Sequence, residues 1–167
     1  MSEGRITPEP RPKLDRSRIT VLFVDINNDL QSQIAEHYAK RMFPKTYQVF
    51  SAGPKPDSVD CDLIITMHKH DEDIRRHRSK DYDNEFMPEE DDYDLVVYTH
   101  KSVFEEYATE SKWKGRQILA DMGGREDFKA TDDQELEEEM WEMAMRIKEW
   151  VKENMEDPEH LRSLISA

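Results

Sequence analysis

Apolar positions along the chain fall into two alternating rhythms. Residues 19–26, ITVLFVDI, form a short apolar run rich in β-branched side chains, the pattern of a strand buried on both faces. After the polar stretch Asn27, Asn28 and Asp29, the period lengthens. Ile34, Tyr38 and Met42 recur every four residues with Ala35 and Ala39 beside them, which predicts an amphipathic helix stopped at Pro44. Residues 46–51 read as a second strand that ends in Ala52, Gly53 and Pro54. Val59, Leu63, Met67 and Ile74 share one helical face, so the segment around LIIT reads as helix despite its strand-like composition. Residues 94–99 predict a third strand, 103–108 a short helix and 117–120 a fourth strand. The last long element places Leu136, Met140, Ala144, Ile147 and Val151 on one face, flanked by Trp141, Met143 and Trp150.

Strands that alternate with helices predict an α/β fold: an open, mostly parallel four-stranded sheet flanked by helices on both faces. The proline-bearing residues 1–18 read as a flexible or extended lead-in, 19–156 as one α/β domain and 157–167 as a short tail.

Charge narrows the function classes. The 167 residues carry 38 acids against 24 Lys and Arg, a formal charge of −14. Such a surface repels nucleic-acid backbones and anionic membranes. No apolar run reaches the roughly 18 residues of a membrane span, and no signal-peptide pattern opens the chain, which predicts a cytoplasmic protein. A single cysteine, Cys61, excludes an internal disulfide framework and reads as a small buried apolar residue. His68, His70 and His77 show no metal-ligand spacing and read as solvent-facing. Arg75, Arg76, His77, Arg78 and Lys80 form a basic island, too short for a nucleic-acid surface and suited to pairing with the acidic runs or a partner.

The loop between the first strand and helix is where an α/β protein presents backbone N–H groups to an anion. Here it lies within VLFVDINNDLQSQIAEHY. That string, with SAG at 51–53, DIRRHRSK at 73–80 and YDLVVYT at 93–99, resembles the low-molecular-weight protein tyrosine phosphatases and thioredoxin-coupled arsenate reductases. The resemblance implies their fold and assigns residues 25–32 (Asp25, Ile26, Asn27, Asn28, Asp29, Leu30, Gln31 and Ser32) to the phosphate loop. It also implies that Asn28 holds the loop's unusual backbone and that Ser32 donates to the group at position 25.

Two departures matter. The family's nucleophilic cysteine is Asp25, and its phosphate-clamping arginine is Gln31. Gln31 offers donors without charge, and Asp25 and Asp29 repel a dianion. Asp121 is the best positional match to the family's acid, without the proline that usually follows it. These positions therefore read as degenerate, with no catalytic residue expected. The sequence weighs against enzymatic activity, and against cysteine-dependent phosphatase or arsenate reductase activity in particular. It favours binding or regulation, with the Asp25 carboxylate folded into the loop and a protein or basic peptide as partner. No cofactor is expected and the oligomeric state is open. Two alternatives stand: residual phosphate or oxyanion binding, and a metal-assisted phosphomonoester hydrolase. In the latter, Asp25 and Asn27 resemble the start of the D-x-D-x-T loop of haloacid-dehalogenase-like phosphatases, and Asp25, Asp29 and Asp121 would hold Mg²⁺.

Overall fold

The computed structural model describes residues 10–166. Four strands, β1 (Ile19–Val24), β2 (Tyr47–Ala52), β3 (Leu95–Tyr98) and β4 (Gln117–Leu119), form one sheet in the order β2-β1-β3-β4, with every named pair parallel. The helices are α1 (Gln31–Met42), α2 (Cys61–Lys69), α3 (Lys101–Tyr107), α4 (Asp133–Met155) and α5 (Pro158–Ser163), with a 3₁₀ turn at Arg125–Asp127. The expected α/β architecture is therefore present.

The strands are apolar on both sides because both sides are covered. Val21, Phe23, Val49, Leu95, Val97 and Ile118 face α1, α2 and α4, whereas Leu22, Val24, Val96 and Tyr98 face α3 and the loops before β3. On α1, Ile34, Ala35, Tyr38 and Ala39 are fully buried, while Met42 at the helix end is only partly covered. Met140, Ala144, Ile147 and Val151 of α4 are buried as their spacing predicts. Fully buried side chains such as Ile34 and Ile147 each contribute about 1.5–3 kcal/mol of transfer free energy.

α2 settles the ambiguity of LIIT in favour of helix. Asp60 caps it by accepting from the backbone N–H groups of Asp62 (2.9 Å) and Leu63 (3.4 Å), and Leu63 and Met67 face the core.

Residues 10–18 form no helix or strand but are anchored. Arg11 Nε donates to the Met87 carbonyl at 2.9 Å, and Leu14 packs on the α3-side core. Residues 1–9 of the expected lead-in lie outside the described residues. The expected tail carries α5, started by Asp157 as cap and Pro158 at its first position.

Register decides where the loops meet. Val24 stands opposite Ala52 on one side and Tyr98 on the other. Residues 25, 53 and 99 consequently leave the sheet at one level. The chain crosses from β1 to β2 on one side and then to β3 on the other, so β1 sits at the switch point where such sheets open a crevice.

Candidate functional site

Asp25 is the first residue beyond β1, and only 3% of its surface is exposed. One carboxylate oxygen accepts from the Ser32 backbone N–H (2.8 Å) and from the Ser32 hydroxyl (2.7 Å); the other accepts from the Asp29 N–H (3.2 Å). Leu30 stands at the N-cap of α1 and makes no side-chain cap bond, so Asp25 satisfies helix-start donors from across the loop.

The loop backbone is built around that group. Asn28 has φ 48°, in the left-handed region that asparagine tolerates better than most residues. Its Nδ2 donates to the Ser32 oxygen at 2.8 Å, so donation runs from Asn28 to Ser32 to Asp25. Asn28 Oδ1 accepts from Gln33 Nε2 and from the Lys80 backbone N–H, both at 3.0 Å. Asn27 Nδ2 donates to the Lys55 carbonyl at 2.6 Å. Behind the loop, Gly53 comes so near that a Cβ would lie 2.2 Å from the Asp25 carbonyl oxygen and 2.7 Å from that of Ile26. Only glycine lets β2 leave the sheet there.

In front of the loop lies a cleft of about 340 Å³ whose polar lining includes Asp25, Asp29, Gln31, His100, Arg125 and Glu126. His100 also caps α3, its Nδ1 accepting from the Ser102 N–H at 3.0 Å, which leaves the ring proton on Nε2 to donate to Glu126. Arg125 is held on the rim by Asp60 (2.7 Å) and Asp62 (3.0 Å). Burial, followed by the charges of Asp25, Asp60 and Asp57, pushes the Asp29 carboxyl up to about 6. Gln31 turns aside and donates to the Gly123 carbonyl, tying α1 to the loop after β4. The cleft thus offers carboxylates in excess over cations.

The remaining sequence candidates take other places. Asp121 lies at the exposed end of β4, outside the cleft lining, and accepts from the N–H groups of Lys101 (3.2 Å) and Gly123 (3.4 Å), the work of a turn carboxylate. Among the described residues, no three His, Cys, Asp or Glu side chains are grouped to hold a metal, so Asp25, Asp29 and Asp121 do not come together. Cys61 is exposed at the first residue of α2, correcting its reading as buried, because Leu63 and Met67 occupy the core face. His68 and His70 are exposed, but His77 is half-buried and pairs through Nδ1 with Gln33 Oε1 at 3.0 Å, correcting its solvent-facing assignment.

Sequence reasoning missed His100, Arg125 and Glu126. The available signal was positional: His100 follows β3 and Arg125 follows β4, and in a parallel sheet residues just past the strand ends converge.

No protein-family model matches the chain. It is 33% identical over 78 residues to an arsenate reductase of Staphylococcus aureus (strain N315), a match covering 47% of this chain and 57% of that protein. An arsenate reductase of Staphylococcus xylosus is 32% identical over the same length. The chain spans a little over half the length of the curated relatives it matches. Among solved structures, the low-molecular-weight protein tyrosine phosphatase of T. tengcongensis superposes with a TM-score of 0.58 at 21% identity, covering 81% of this chain and 99% of that one. The tyrosine phosphatase of Erwinia amylovora gives 0.58 at 18%, covering 80% and 91%.

The chain is low-molecular-weight phosphatase-like and arsenate reductase-like.

These comparisons correct one expectation. The sequence weighed against enzymatic activity because Asp25 and Gln31 replace the family's cysteine and arginine. The relatives in sequence are named arsenate reductases, which points toward an enzyme, and the neighbours in fold, among them tyrosine phosphatases and an arsenate reductase, share the architecture. Among the described residues, no helix of this phosphatase-like protein is long and apolar enough to cross a membrane.

Proposed function

We propose that this phosphatase-like protein recognises a cationic group, an ammonium or guanidinium on a peptide or protein partner, at the Asp25 cleft. One observation carries the reading: the Asp25 carboxylate already accepts the N–H and O–H donors that the loop would turn toward an anion. The loop is then filled by its own side chain. Asp29 and Glu126 lie in the same cleft, and its one guanidinium, Arg125, is engaged by Asp60 and Asp62. A dianion seated beside Asp25 would meet repulsion of about 4 kcal/mol per charge pair at 4 Å and an effective dielectric near 20; a cation meets attraction of that size.

The test is amide chemical-shift mapping with a short Arg- and Lys-containing peptide and with inorganic phosphate. The peptide is expected to shift residues 25–31, His100 and Arg125, and to bind more weakly to Asp29→Asn and Glu126→Gln. Phosphate seated in the loop, or a peptide that leaves these amides unmoved, rejects the reading. Because the comparisons point to an enzyme, the same proteins are assayed for arsenate reduction and for hydrolysis of tyrosine phosphates. Turnover inhibited by the peptide places chemistry at this cleft, and turnover indifferent to it places the substrate elsewhere.

A further inference from the structure

The basic island that stood out in an acidic sequence does not disperse into surface ion pairs. Arg75 alone of its members pairs with a carboxylate, that of Asp73, among the described residues. Arg76, Arg78 and Lys80 instead line a second cavity of about 390 Å³, together with Lys40 from α1. In a chain of charge −14, three cations that line one cavity and have no carboxylate partner among the described residues stand against the electrostatic trend.

The floor of this cavity is highly organised. Lys80 is 8% exposed, and its ammonium donates to the Arg78 carbonyl (2.9 Å) and to Asn28 Oδ1 (3.3 Å). Glu36, also buried, is the one acid in the lining, and its charge is answered by Lys40 at 2.7 Å and by the Ser51 hydroxyl. Arg76 and Arg78 therefore remain, with Lys80, as surplus positive charge in the lining. Burial pushes the Lys80 ammonium's pKa down, with the Lys40 charge adding to it and Glu36 and Asp25 pulling the other way. Two aromatic rings join the lining: Phe50 is partly buried, and Phe86, 49% exposed, lies under the Arg78 guanidinium, 5.2 Å from it to the ring centroid.

We propose that this cavity binds a compact oxyanion, a phosphate or sulfate group, carried on an aromatic body. The guanidinium groups of Arg76 and Arg78 supply charge-assisted donors to the oxyanion, the Lys80 ammonium lines the same cavity, and Phe50 and Phe86 flank the ring. The site is separate from the Asp25 cleft, with which it shares no lining residue.

The experiment titrates the full chain with phenyl phosphate, phenyl sulfate and inorganic phosphate at constant ionic strength, followed by amide chemical shifts. Phenyl phosphate is expected to move residues 76–80 and Phe86, and to bind roughly tenfold more weakly to Arg76→Gln/Arg78→Gln, both exposed positions whose exchange leaves the core intact. Asp29→Asn is expected to bind as the parent does. Inorganic phosphate is expected at the same residues with lower affinity; equal affinity would overturn the aromatic part of the proposal. Absence of shifts at 76–80 with every probe, shifts confined to residues 25–32, or an affinity unchanged in the double variant would overturn the site itself.

Discussion

At the scale of the residue, Asp25 and Asp29 are two neighbouring carboxylates with opposite energetics. Asp25 accepts from three donors in a nearly closed environment, so removing its oxygens strands those donors. Asp25→Ala is expected to lower stability by roughly 2–4 kcal/mol in urea unfolding, and Asp25→Asn, which keeps one acceptor oxygen, by clearly less. Asp29 carries a penalty instead. Its folded-state pKa, about 6, lies above the ordinary 3.8, so the folded protein holds the extra proton between those values. The resulting destabilisation begins near pH 4, grows as pH rises, and is complete above pH 6. Asp29→Asn should therefore stabilise the protein at pH 7.5, by about 1 kcal/mol once screening of this half-exposed group is allowed for, and change little at pH 4. Thermal unfolding at both pH values checks the sign. Asp25 was legible from the sequence because an apolar strand delivers it to the start of a helix. The difference from Asp29 was not, because it depends on which N–H groups each carboxylate reaches and on the proximity of Asp60 and Asp57.

At the scale of the element, α2 shows how a local cap and a distant residue become one device. Asp60 satisfies the first N–H groups of α2 with one oxygen and holds Arg125 on the cleft rim with the other. Asp60→Ala is expected to cost about 1–2 kcal/mol through the cap. It should also speed amide exchange at the start of α2 and loosen the 3₁₀ turn at Arg125–Asp127, which exchange mass spectrometry would detect. Periodicity located α2, since Leu63 and Met67 fall on one face whatever the intrinsic preference of LIIT. It said nothing of Arg125, which is 65 residues away along the chain. The same reason explains Cys61: propensity marks cysteine as a core residue, but the helix phase set by Leu63 and Met67 turns position 61 outward.

At the scale of the whole molecule, the net charge of −14 acts through its uneven distribution. The acidic surface and the carboxylate-lined cleft should steer a basic peptide toward the Asp25 side. Its association rate is expected to fall several-fold as salt rises from about 0.02 to 0.3 M, where the screening length drops below about 10 Å. Stopped-flow fluorescence would measure it. Phenyl phosphate at the basic cavity must approach the same negative molecule, so screening is expected to penalise its association much less or to favour it.

The amino-acid sequence by itself determined the alternation of strand and helix, the parallel sheet and the place of Asp25 between the first strand and helix, because period, cap residues and chain order are local properties. Tertiary structure alone decided what those residues meet. Register places residues 25, 53 and 99 at one level, and the β1 switch point opens the cleft between them. Only then do His100, Arg125 and Glu126 become neighbours of Asp25, and only then do Arg76, Arg78 and Lys80 of the basic island come to line one cavity with Lys40. Electrostatic and hydrogen-bond energies depend on distances of a few ångströms, and those distances between remote segments exist only once the sheet has assembled.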